Sequence, residues 1–260
     1  MRKADLFDEI IFCLREHARR EPTAEISPEL LTALMTELPA QKSVPLYESV
    51  RPARPSVSVP PPPAQTTGTA TESCTWDELA ARVKTCRNCP LCETRTNTVF
   101  GDGNPEADLM FIGEGPGENE DLQGLPFVGK AGELLTRMIA AMGFDRWKDA
   151  YIANVVKCRP PGNRNPEDSE AFPCLPYLNR QIELIKPKVI VLLGAVPLLY
   201  LLNKRGITRL HGQWFEYKGI RTLPTFHPAY LLRNPAMKAD AWKDLQTVMR
   251  EFGRVPGRAS

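Results

Sequence analysis

Residues 187–203 read PKVIVLLGAVPLLYLLN. A strand-like apolar run, 187–194, ends on a glycine, and a helical pattern, 195–203, starts at once. The same handover recurs in both directions along the chain. Upstream, ADLMFIG (107–113) precedes the helical AGELLTRMIAAMGF (131–144), and AYIANVVK (150–157) follows it. Downstream, QWFEYKG (213–219) and IRTLPTF (220–226) make a hairpin turning near Gly219, and AMKADAWKDLQTVMREFG (236–253) is a last helix. Alternation of this kind predicts an α/β fold, a three-layer α/β/α sandwich around a central, mostly parallel sheet. In such sheets ligands bind just beyond the carboxyl ends of the strands.

Around this body the composition changes. Residues 43–72 carry seven prolines with many Ser and Thr and few large apolar side chains. Burial there is too small to offset the ordering entropy, so the segment reads as a linker, stiffest at Pro60–Pro63. Residues 1–42 hold two short amphipathic patterns; Leu6, Ile10, Phe12 and Leu14 line the first, and Ser27 is placed to cap the second. The expected organisation is a short helical N-terminal extension over 1–42, a Pro/Ser/Thr-rich linker over 43–72 and one domain over 73–260. Cys13 and His17, four apart, read as packing residues.

No apolar run reaches the length of a membrane span, and the charged start MRKADLFDEI is not that of a signal peptide. A reducing, cytoplasmic setting is therefore expected, in which disulfides are rare. The net charge of +2 hides a separation. Arg146 to Lys238 holds 15 Lys plus Arg against 6 Asp plus Glu, whereas Asp102 to Asp121 holds seven acids and no base. A basic half beside a carboxylate-lined loop suits a polyanion held while chemistry happens next to it.

The segments after the strands carry that chemistry. After LMFIG comes EGPGENEDLQGLPFVGKAG (114–132), glycine-rich enough for backbone N–H groups to approach a phosphate or a small ring closely. It lacks the third glycine of the dinucleotide fingerprint. The second strand ends in NVVKCR (154–159), basic where a Rossmann-type enzyme needs a ribose-binding acid. After LPTF comes HPAYLLRNP (227–235). Its Tyr230, Leu231 and Leu232 are expected on an exposed loop, either as a wedge entering a base stack or as a lid over the core. Near the start of the domain, CRNCPLCETR (86–95) holds a C-x-x-C pair. With two later cysteines it offers four thiolates, which suit zinc and an iron–sulfur cluster alike.

Four stretches in order, GEGPGENEDLQGLPFVGKAGELL (113–135), YIANVVKCRPPGNRNP (151–166), IVLLGAVPLLYLL (190–202) and FHPAYLLRNP (226–235), resemble the motifs of the family 4 uracil-DNA glycosylases. These are the iron–sulfur members of their superfamily. The resemblance spans roughly residues 86–252 with no motif missing; residues 1–70 find no counterpart. It implies a base excision repair enzyme, a monofunctional glycosylase that flips uracil out of DNA and hydrolyses its N-glycosidic bond, leaving an abasic site. It also implies a 4Fe-4S cluster on Cys86, Cys89, Cys158 and Cys174, stapling the domain rather than turning over electrons. Cys74 and Cys92 are then extra thiols, with Cys92 close enough to take the place of Cys89.

The resemblance carries roles as well. Phe127 would stack on the uracil. Asn154 would read its amide edge, with a donor for O4 and an acceptor for N3–H. His227 would donate to O2 as negative charge develops there. Gly115 and neighbouring N–H groups would rim the pocket. The best-known branch of the superfamily has Asp where this chain has Gly115, so water placement falls to Glu114, with Glu120 at the pocket wall or the sugar; either carboxylate could instead serve the loop's own N–H groups. Tyr230, Leu231 and Leu232 would fill the gap left by the flipped base, and Arg233, Lys157, Arg159 and Arg164 would contact phosphates.

Residues 157–174 contain no histidine, so turnover is expected, unlike the covalent trapping of another branch; His211 reads as hairpin packing. Expected partners are uracil-containing DNA, single- or double-stranded, and a replication or repair protein docking on residues 1–42. The protein is expected to act as a monomer. The alternative is a non-catalytic iron–sulfur DNA-binding or replication-associated module, which leaves Phe127, Asn154 and His227 at three strand ends without a role.

Overall fold

The computed structural model describes residues 74–254; the expected extension and linker over 1–72, with Cys13 and His17, lie outside the described residues. Six strands form one sheet: β1 Asp102–Gly103, β2 Leu109–Gly113, β3 Ala150–Asn154, β4 Val189–Leu193, β5 Phe215–Tyr217 and β6 Ile220–Thr225. Their order across the sheet is β1-β3-β2-β4-β6-β5. The four inner strands are parallel, and the two outer strands run antiparallel to their neighbours. The β5–β6 hairpin turns where expected, with Lys218 and Gly219 both at positive φ, the twist that a two-residue hairpin loop requires.

Every residue of β2, β3 and β4 is buried, because both faces of the sheet are covered. Successive side chains point to opposite faces, and the apolar runs divide accordingly. On one face Met110, Ile112, Tyr151, Ala153, Ile190 and Leu192 join a core with helices α1 (Trp76–Lys84) and α5 (Asp168–Ile185). On the other, Leu109, Phe111, Ile152, Val189, Val191 and Leu223 pack with α4 (Lys130–Ala141) and α9 (Lys238–Glu251). These are the three layers. The remaining helices are α2 (Leu91–Thr94), α3 (Glu118–Gln123), α6 (Ala195–Leu202), α7 (Ile207–Leu210) and α8 (Pro228–Arg233).

Two elements depart from the sequence reading. Helix α5 carries Pro173 and Pro176 in its interior, where each removes a backbone donor and masks the helical pattern. HPAYLLRNP is not an exposed loop: Pro228–Arg233 is helical, with His227 as its N-cap and Pro228 at the first helical position, where its missing N–H costs nothing. Among the described residues no helix is long and apolar enough to cross a membrane.

Register places the chemistry. Gly113 pairs with Asn154 and Leu193 with Thr225, so all four parallel strands end at one rim.

Candidate active site

At that rim lies a cleft of about 380 Å³ whose lining includes Glu114, Gly115, Glu120, Phe127, Asn154 and His227. The expected pocket residues therefore meet, from three separate segments. Phe127 is 6% exposed and sits at φ +53°, a left-handed backbone that costs a non-glycine residue about 1–3 kcal/mol. Its ring lies 5.5 Å from the His227 ring, inclined by 32°. Gly113 lets it in, since a Cβ there would stand 2.7 Å from Phe127 Cζ and would also strike Asn154 Oδ1.

Gly132, on the first turn of α4, has the same function for the backbone: a Cβ would overlap the Phe127 carbonyl. Gly132→Ala is thus expected to lower the melting temperature by about 3–10 °C, the cost of overpacking at a rigid contact in a domain of this size. It should weaken uracil-dependent activity in parallel, as read by a thermal melt beside an activity assay.

Asn154, at the end of β3, is 2% exposed, and its Oδ1 is buried without a hydrogen-bond partner. An unsatisfied buried acceptor costs about 1–3 kcal/mol, and this one belongs to a residue lining the cleft. His227 Nδ1 accepts the Ala229 backbone N–H at 3.1 Å. Burial, with Arg233 nearby, pushes its pKa down to about 4. The imidazole is thus neutral near pH 7. With Nδ1 an acceptor, its proton sits on Nε2, which leaves a donor on the cleft wall. Burial has the opposite effect on Glu114, whose pKa rises to about 7. Glu120 is differently employed: Oε1 accepts from the N–H groups of Val128 (3.0 Å) and Gly129 (3.2 Å), and Oε2 from Gly117 (3.1 Å). It borders the cleft with both oxygens engaged in shaping the loop.

The expected DNA-contacting residues divide. Arg164 and Arg233 line the cleft. Arg164 is oriented by a two-pronged contact to Glu170 at 2.7 and 2.6 Å, and Arg159 Nε donates to Asn163 Oδ1 at 2.8 Å. Lys157 is a correction. It is 2% exposed and donates from Nζ to the Asn154 carbonyl (3.0 Å) and Gln181 Oε1 (2.6 Å), out of reach of a phosphate. Leu231 is a second correction: at 1% exposed it packs with Leu134, Phe226 and Ala241. Consecutive helical side chains diverge by about 100°, so its neighbour Leu232 is the exposed one at 39%. Tyr230 stacks on Phe226 at 5.5 Å. His211, expected in hairpin packing, has its ring 4.5 Å from that of Phe226 at the hairpin's end and also meets Asp244 of α9 at 3.0 Å.

Cys86, Cys89, Cys92, Cys158 and Cys174 line a second, small cavity with Arg95 and Lys157; all are free thiols. Arg95 Nη1 donates to Cys158 Sγ at 3.0 Å, and the Lys157 N–H to Cys174 Sγ at 3.3 Å. Burial pushes the Cys174 thiol up to about 12 and raises Cys89 and Cys158 as well. Thiolates here therefore need positive charge beside them. Among the described residues no three His, Cys, Asp or Glu converge to hold a single metal ion; the sulfurs surround a space instead.

Sequence reasoning missed Arg95, although it ends the quoted CRNCPLCETR, because its thiol partner is 63 residues away. It also passed over Asn163 and Asn165, which line the cleft from within KCRPPGNRNP.

Residues 100–246 match the sequence profile of the uracil DNA glycosylase superfamily. A type-4 uracil-DNA glycosylase of Sulfurisphaera tokodaii is 45% identical over 192 residues, covering 70% of this chain and 86% of that protein. One of Saccharolobus solfataricus is 43% identical, covering 69% and 88%. One of Thermotoga maritima is 50% identical over 159 residues, covering 60% and 82%.

Proposed function

The chain belongs to the uracil DNA glycosylase superfamily, among its type-4 enzymes, which excise uracil in DNA repair, and from that premise we propose how its own residues divide the reaction. The observation that carries the reading is the buried, unpartnered Asn154 Oδ1. It is an acceptor waiting for the N3–H of uracil, while the Nδ2 group donates to O4. Cytosine reverses that pattern and leaves two groups mispaired. Phe127 stacks on the base. The neutral imidazole of His227 donates from Nε2 to uracil O2, where charge collects as the N1–C1′ bond breaks. The Glu114 carboxylate positions the water that adds to C1′ and receives its proton. Gly115 rims the pocket, and Glu120 acts at the pocket wall by holding the loop. Uracil must leave the base stack to reach this cleft. Leu232 and Tyr230 fill the gap, and Arg233, Arg164 and Arg159 hold phosphates of single- or double-stranded DNA.

Five cysteines around one space, flanked by Arg95 and Lys157, fit a cluster better than one ion, and we assign four of them, Cys86, Cys89, Cys158 and Cys174, to a 4Fe-4S cluster, with Cys92 the extra thiol. When bound, it would supply cross-links between the start of the domain and the segment after β3. The working unit is residues 73–260, monomeric and in a reducing cytoplasm, with residues 43–72 as a tether. Residues 1–42 would dock on a replication or repair protein.

Incubation with an end-labelled oligonucleotide bearing one uracil, followed by alkali, tests the function. Scission confined to the uracil, absent from a thymine control, is expected. No scission by protein with full iron content would leave a DNA-binding module as the better reading.

The pKa of Glu114 adds a second test. Only its carboxylate accepts a proton, so the single-turnover rate should climb with pH below about 7 and level off above it. Glu114→Gln should abolish that limb and cost about 10²–10⁴-fold in rate. A wild-type profile flat through neutrality would assign the water to another group.

A further inference from the structure

Arg146 lies on the connection between α4 and β3, outside the four motif stretches, yet it is 6% exposed. Its guanidinium is spent on the backbone around Phe127. Nη2 donates to the Pro126 carbonyl at 2.8 Å and Nη1 to the Phe127 carbonyl at 2.9 Å. Nη1 also donates to Thr136 Oγ1 of α4 at 2.8 Å, and Asp102 approaches Nη2 at 3.7 Å. Nε is buried without a partner. A buried cation with one unsatisfied donor is costly to place, so plain stability is a poor reason for an arginine here.

The two carbonyls it holds flank the residue at φ +53°. That strained peptide sets the ring's position between Gly113 and His227. Left-handed backbone at a non-glycine residue persists only where its surroundings over-determine it. Two consecutive carbonyls ending on one rigid guanidinium, with Gly132 leaving room behind, provide that.

We propose that Arg146 is a positioning residue for base recognition: its guanidinium holds Phe127 in the conformation that stands the ring in the cleft as the stacking platform for uracil. The inference rests on the uracil reading above. It adds that the platform's geometry is set by a residue that touches neither base nor DNA.

The test is a double-mutant cycle in the full-length protein, with Arg146→Met, Phe127→Ala and both together. The readouts are kcat and KM on a uracil oligonucleotide, inhibition by free uracil, affinity for abasic-site DNA, and a thermal melt. Arg146→Met should raise KM and the free-uracil inhibition constant together by about tenfold, the size of a lost base–aromatic contact. Affinity for abasic DNA, which offers no base to stack, should not change. In the Phe127→Ala background the same substitution should leave KM and uracil inhibition where Phe127→Ala alone put them.

A merely structural arginine would lower melting temperature or active fraction and leave KM and uracil inhibition alone. That outcome, or full additivity of the two substitutions, overturns the proposal. Should Arg146→Met fail to fold, Arg146→Lys keeps the charge but cannot serve both carbonyls with a planar fork; it is expected to show the same KM and inhibition shifts, and wild-type values for it would overturn the proposal equally. Wild-type protein that excises no uracil would sink the function and this inference together, whereas normal wild-type excision with an unmoved KM in the variants sinks only the role of Arg146.

Discussion

Asn154→Ala is expected to lower kcat/KM for a uracil-containing oligonucleotide by about 30- to 1,000-fold, while the melting temperature stays level or rises. Two hydrogen bonds to the base edge are lost, each contributing about 1–2 kcal/mol in a desolvated cleft, and 1.36 kcal/mol is a factor of ten. The stability half follows from the free protein. Asn154 Oδ1 is buried without a partner, so its removal relieves an unsatisfied acceptor as it leaves a small gap. A residue kept for the fold would behave in the opposite sense, with stability falling and activity following it. The same variant separates the enzyme from a DNA-binding module, which has no use for the amide and would bind DNA as before. Steady-state kinetics and a thermal melt on one preparation decide both points.

His227→Ala is expected to reduce kcat by about 10²–10³-fold with KM little changed, the signature of a donor whose partner gains charge only in the transition state. Lower pH should not rescue it or strengthen the wild type within the working range, because the wild-type imidazole stays neutral down to about 4. The sign for stability is separate. A folded pKa held below the ordinary histidine value means that the folded state gains protons later than the unfolded chain. Stability from this group is therefore present above about 6.5 and is lost as pH falls towards about 4. Protonation of Nδ1 would also remove the acceptor that caps α8. His227→Ala should shrink that acid-side loss. A kcat drop with a matching rise in KM would instead assign His227 to ground-state binding.

Much of this was legible in the residues. Alternating strand-like and helical stretches carry the layered α/β fold, because side chains of a buried parallel strand must be apolar on both faces, and those of β2, β3 and β4 are, apart from Asn154 at the rim end of β3. Phe127, Asn154 and His227 were legible as neighbours because parallel strands deliver their carboxyl ends to one rim. The order of motifs and cysteines identified the family that the comparisons support. Helix α5 was hidden by its prolines, and the edge strand β1 by having only two residues.

Tertiary structure alone decided which way individual side chains turn and what surrounds them. Lys157 follows a strand end in a basic stretch and reads as a phosphate contact, yet its ammonium is buried against Asn154 and Gln181. Leu231 and Leu232 are equivalent in sequence, and only the rotation of α8 sends one into the core and leaves the other outside. The tautomer of His227, the raised pKa of Glu114 and the hold of Arg146 on Phe127 have the same origin. Each depends on burial and on partners brought together from separate segments, whereas periodicity and motif spacing record only what lies near along the chain.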